Sequence, residues 1–114
     1  MPERRKLKRR HLLYYLRVLN AETRRRVGYL VDITSEGVML LRTQRMRPGR
    51  TIKMSMLLPG QSRNGERLEF DATSLWCRRD VNSDFWDVGF RVVNLNRRQM
   101  AVLETLIEDH GFND

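Results

Sequence analysis

The sequence predicts a mainly β fold: a six-stranded antiparallel barrel with one C-terminal amphipathic helix, preceded by a flexible basic arm. Three observations lead there. Short apolar stretches, most of them alternating with polar residues, recur between turn signals from residue 12 to residue 93. The segment 96–111 instead repeats its apolar residues at helical spacing. Six of the 22 basic residues crowd into the first ten positions, against the single acid Glu3.

The strands follow in order. "LLYYLRVL" (12–19) sets Tyr14, Leu16 and Val18 on one side, and the polar "NAETRRR" reads as a hairpin loop. "VGYLVDI" (27–33) alternates Val27, Tyr29, Val31 and Ile33; "TSEG" then turns the chain into "VMLLR" (38–42). "MRPGR" contains Pro48-Gly49, the strongest turn signal in the chain. "TIKMSMLLP" (51–59) places Ile52, Met54, Met56 and Leu58 on one face, and "GQSRNGE" forms the next loop. "RLEFDATSLWCR" (67–78) alternates Leu68, Phe70, Ala72, Ser74 and Trp76 against Glu69, Asp71 and Thr73. "DFWDVGFRVV" (84–93) does the same with Trp86, Val88, Phe90 and Val92. Six such strands suit a small barrel or sandwich.

The helix opens at Asn96, with Gln99 three residues on as the partner of a capping box. Met100, Leu103, Leu106 and Ile107 form its apolar stripe, and Gly111 fits a terminating position. Met39, Met54, Met56 and Met100 read as adaptable core filling, and "TRRR" and "RTQRMRPGR" as a solvated barrel rim. A length of 114 residues means one domain. It divides into an arm, residues 1–11, and a barrel with its helix, residues 12–114.

Composition excludes several classes. No apolar run approaches the roughly 18 residues of a membrane span, so no membrane insertion is expected. The basic N-terminus lacks the apolar core and cleavage site of a signal peptide. The single cysteine, Cys77, precludes an internal disulfide and fits a reducing cytoplasm. His11 and His110 stand at opposite ends with no ligand-spaced partners, so no metal site is expected. No hydrolase, metalloprotease, phosphate-loop or dinucleotide motif is present. Arg78 and Arg79 would favour the Cys77 thiolate, but no base accompanies it, and a structural thiol is expected. Neither an enzyme nor a cofactor is implied.

Two patterns carry chemistry. Arg5 and Arg9 form an R-x-x-x-R immediately before the first strand, and residues 32–37 form a D-x-T-x-x-G between the second and third strands. Arginine presents a planar fork that grips phosphate oxygens and matches the O6/N7 edge of guanine. A carboxylate at Asp32 can accept from guanine N1–H and its 2-amino group, donors that adenine lacks. Thr34 offers a hydroxyl to a phosphate or a nearby amide. Gly37 permits a positive-φ turn or a close ligand approach. Together the two patterns suit a ligand containing guanines and phosphates, held from two sides.

The same two motifs, in this order and on this strand pattern, resemble PilZ domains, six-stranded barrels that bind the bacterial second messenger cyclic di-GMP. The similarity runs through "ERRKLKRR", "VDITSEGVML", "RPGRTIKMSMLLP", "LWCR" and "VGFRVVNL". It implies a cytoplasmic cyclic di-GMP receptor in second-messenger signalling that changes conformation and signals to an unidentified downstream protein. Arg5 and Arg9 would grip guanine and phosphate, with Asp32, Thr34 and Gly37 as the opposite wall. Arg4 matches a further arginine of members that bind an intercalated ligand dimer. Trp76 resembles an aromatic near the site in some members, with core packing as its alternative. Thr34 replaces the family's usual serine, and its extra methyl crowds the phosphate. Lys6 and Arg10 share the spacing of Arg5 and Arg9; the doubled Arg4-Arg5 favours the latter register and leaves Arg10 auxiliary.

Two other readings stand beside this one. The net charge of +8 suits a nucleic-acid-binding barrel. However, the aromatics alternate as core residues do rather than forming an exposed stacking face, which does not favour nucleic acid. A PilZ-like adaptor without ligand is the other, and it would have degenerate motifs.

Overall fold

The computed structural model describes residues 16–34, 36–57 and 67–109. The basic arm with Arg4, Arg5, Arg9 and Arg10, Tyr14, the 58–66 segment, His110 and Gly111 lie outside the described residues. Six strands form: β1 (Leu16–Asn20), β2 (Arg26–Ile33), β3 (Gly37–Arg42), β4 (Thr51–Leu57), β5 (Arg67–Arg79) and β6 (Trp86–Val93). They close an antiparallel barrel in the order β1-β2-β3-β6-β5-β4, followed by one helix, α1 (Arg97–Asp109).

Alternation selects most of the barrel interior. Ile52, Met54 and Met56 on β4 meet Ala72, Phe70 and Leu68 on β5, and all six are buried. Val88 and Phe90 from β6 and Val38 and Leu40 from β3 complete that side of the core. On β2 the alternation fails. Two residues, Val31 and Asp32, oppose Met39, a bulge that shifts the register after Leu30. Leu30 and Ile33 therefore face the core, while Tyr29 is only half-buried, against the simple reading of Val27, Tyr29, Val31 and Ile33 as one face. Extra residues of this kind bend and twist a strand, which helps six strands close on themselves.

Each end of the barrel is plugged. At one end α1 inserts Leu103 and Leu106 into the core. Its capping box forms as the sequence predicts: Asn96 N donates to Gln99 Oε1 at 2.8 Å, and Gln99 N to Asn96 Oδ1 at 2.7 Å. Gln99 Nε2 also donates to the Glu69 carbonyl at 2.5 Å, tying the helix start to β5. Met100 does not join the core; it is exposed, and Val102 packs in its place.

At the other end Met46 is buried, although it lies in a stretch whose charge reads as solvated rim. Its N–H donates to Cys77 Sγ at 3.4 Å, and the thiol packs against the core. The turn at Pro48-Gly49, with Gly49 at φ 91°, wraps around buried Ser74. The Ser74 hydroxyl donates to Arg47 O at 2.7 Å and accepts from Arg50 N at 3.0 Å, so its burial leaves no unmet polar group. Among the described residues no helix is long and apolar enough to cross a membrane.

Candidate functional site

The D-x-T-x-x-G segment turns the chain from β2 into β3. Thr34 N donates to Gly37 O at 2.8 Å, and the Thr34 hydroxyl accepts from Glu36 N and Gly37 N, both at 3.2 Å. The hydroxyl thus shapes the turn through its lone pairs, while its side chain stays exposed to the surface. Asp32 is half-buried, and its Oδ1 accepts from the Ile33 amide at 2.9 Å. Gly37 has no positive φ. It is required for a different reason: a Cβ there would strike the Phe90 carbonyl of β6. Its small size serves the close approach of two strands.

The turn opens onto the outer wall of the barrel. Asp32 pairs with Met39, Met39 with Gly89, and Gly89 with Trp76, so four adjacent strands contribute one cross-strand row. At about 4.8 Å per strand, the row's ends stand roughly 14 Å apart along the backbone. Gly89 narrows that gap. A Cβ at 89 would run into the indole of Trp76, so the bare glycine lets the ring lie across β6. An isolated glycine inside a strand pattern is a signal for such close packing.

Two bulges bring this row to the surface. Continued alternation from inward Leu30 would turn Asp32 into the core, and from inward Ser74 it would do the same to Trp76. The extra residues Val31 and Leu75 reverse both. Trp76 is therefore not a core residue; 38% of it remains exposed. Met39 forms part of the groove floor and is absent from the core, where it was expected.

The result is an open groove of about 270 Å³ lined by Asp32, Thr34, Gly37, Met39, Trp76 and Arg78, among others. Arg78 places its guanidinium carbon 5.0 Å from the Trp76 ring centroid and its Nε 4.0 Å from Asp87, a buried carboxylate. Neither Arg78 nor Gly89 stands out as a site residue in the sequence. Complete small-molecule pockets span about 300–1,000 Å³, so this groove has the size of one wall of a site. Among the described residues no cluster of histidine, cysteine or carboxylates could hold a metal ion.

Comparison with known proteins defines the class. The PilZ domain family model matches residues 3–109, nearly the whole chain. The chain belongs to the PilZ domain family. Among solved structures, that of the Bacillus subtilis inhibitor of motility, MotI/DgrA, superposes with a TM-score of 0.71 at 15% identity. The match covers 88% of this chain and 48% of that one, so the chain spans about half of that protein's length. At this identity the likeness is one of fold. No curated protein gives a significant match. PilZ domains are binding and adaptor domains, and the family binds cyclic di-GMP and interacts with partner proteins.

Proposed function

We propose that this PilZ domain is a receptor for cyclic di-GMP, with the outer-wall groove as one half of its site and the R-x-x-x-R arm as the other. The observation that carries the reading is the convergence of Asp32, Thr34, Gly37 and Trp76 on one open groove. An aspartate discriminates guanine, a hydroxyl serves a phosphate, and an indole face accepts a base. Among the described residues the groove is lined by one arginine, Arg78, and Arg5 and Arg9 of the family motif would add a pair. Arg4 and Arg10 are auxiliary contacts, and Arg4 favours a ligand dimer.

On this reading the arm closes over the ligand, and that rearrangement is the signal passed to a partner protein in the bacterial cytoplasm. Fixing six to eight backbone residues costs on the order of 10 kcal/mol. Four or five charge-assisted hydrogen bonds, at roughly 1.5–3 kcal/mol each, offset that cost with little to spare. Moderate affinity and a large structural response follow.

Calorimetry with cyclic di-GMP tests the proposal. Wild type is expected to bind, and Arg9→Ala to lose at least about tenfold in affinity, the equivalent of one charge-assisted bond. Arg10→Ala loses less if the Arg5/Arg9 register is right. A wild type that gives no binding isotherm removes the receptor reading and leaves the adaptor.

A further inference from the structure

Three loops meet at the end of the barrel away from the Thr34–Gly37 turn, and arginines dominate all of them. The loop 21–25 is held to β4 by Ala21 N donating to Lys53 O at 2.8 Å. The loop 43–50 plugs the barrel with Met46, and 80–85 closes the β5–β6 hairpin. Arg24, Arg25, Arg45, Arg47, Arg50 and, at the hairpin base, Arg79 are all exposed there. No lysine lies in these loops, and the acids nearby are Glu22, Asp80 and Asp84. Asp80 accepts from Asn82 N at 3.0 Å. The segments are far apart in sequence; the barrel brings them together.

Among the described residues, four of these six arginines make no side-chain contact that serves the fold. Arg24, Arg25, Arg47 and Arg50 have no side-chain hydrogen bond or ion pair among the described residues. Arg24 has φ 69°, a conformation that suits glycine or asparagine. The hairpin is already closed by Arg24 N to Asn20 O and Asn20 N to Arg25 O, so a side chain at 24 adds nothing to the turn. Strain kept at an exposed arginine points to a use for the charge. Arg45 and Arg79 hold their guanidinium carbons 5.9 and 4.4 Å from the Trp86 ring centroid. In the same β5–β6 hairpin Val81 is fully exposed.

We propose that this end of the barrel docks on a bilayer of anionic phospholipid. Three arginine-bearing loops at one end can be engaged together by an extended anionic surface. Guanidinium forks match phosphate oxygens. The exposed valine has a place at the headgroup boundary and none against a sugar-phosphate backbone. Trp86 packs against the core rather than standing out as an exposed platform on which nucleic-acid bases stack. Docked this way, the barrel would hold the Thr34–Gly37 turn away from the membrane.

The test is sedimentation of the full chain with vesicles of equal parts phosphatidylcholine and phosphatidylglycerol, and with phosphatidylcholine alone. Wild type is expected to bind only the anionic vesicles, less as salt rises. The triple variant Arg24→Gly/Arg25→Gln/Arg47→Gln should lose about a hundredfold in partitioning, at about fivefold per charge. Its melting temperature should hold or rise, because glycine accepts the φ at position 24. The pair Arg5→Gln/Arg9→Gln controls for the basic arm, and the loop triple must lose at least about tenfold more than this pair. A smaller difference overturns the proposal. So does binding of a mixed-sequence DNA duplex through the same arginines with the vesicles left unbound.

Discussion

Between Thr51 and Leu57 the β4–β5 ladder runs without a break, and the side chains it buries at Ile52, Met54 and Met56 are those a period of two selects. Across the barrel, the β2–β3 and β5–β6 ladders each lose register once, at Val31 and at Leu75. The regular ladder supplies core alone, while the bulged ladders add Leu30, Leu40, Val88 and Phe90 to that core. The bulged half supplies the groove, because only the extra residues turn Asp32 and Trp76 outward. Recognition is thus confined to the bulged ladders while the core draws on both, and substitutions in the regular ladder should touch stability alone.

The largest expected effect lies in the regular half. Met54 is fully buried, and Met54→Ala leaves a cavity among Val18, Phe70 and their neighbours. It should lower unfolding free energy by about 2–5 kcal/mol in a denaturant titration. The protein that remains folded should bind cyclic di-GMP as wild type does. A loss of affinity at saturating folded fraction would show that the two halves are coupled.

The converse lies at Gly89. A methyl group there collides with the Trp76 indole, which must swing away. Gly89→Ala and Trp76→Ala should therefore weaken cyclic di-GMP by similar amounts, about 1–3 kcal/mol for a lost stacking face. Trp76→Ala should lower the melting temperature modestly, since 38% of the residue is exposed and the rest packs across β6 and against Arg78. If the double variant loses the sum of the two single effects in calorimetry, Gly89 does not act through Trp76.

This division also explains what could be read in advance. Strand order of polarity, the Asn96/Gln99 cap and the Pro48-Gly49 turn depend on local chemistry, and each formed where its residues stand. The D-x-T-x-x-G turn was legible for the same reason. The row Asp32-Met39-Gly89-Trp76 was not, because a bulge has no residue signature at Val31 or Leu75 and reverses everything beyond it. Met46 hides among arginines, and only closure of the barrel shows that its side chain has a core to enter. Met100 fails in the other direction: its helical spacing is right, but α1 lies on the barrel with Val102 inward instead. The arginine-rich end is a product of topology, since it joins three loops that no sequence window spans.

The smallest effect belongs to Thr34, where turn and proposed ligand contact share one hydroxyl. Its lone pairs accept from Glu36 N and Gly37 N, and its proton is directed at Gly37 O at 3.5 Å, a long bond that a phosphate oxygen would replace. Thr34→Ser keeps that hydroxyl and removes the methyl. Stability should change by less than about 0.5 kcal/mol, and cyclic di-GMP affinity should stay equal or rise slightly as the phosphate gains room. Thr34→Val keeps the methyl and removes the hydroxyl. It should cost about 1 kcal/mol of stability through the two unmet amides, and weaken the ligand as well. Serine matching wild type in both melting and calorimetry, with valine falling in both, assigns the hydroxyl a double role. Valine falling only in the melt would confine Thr34 to the turn and leave Asp32 and Trp76 as the groove's recognition elements.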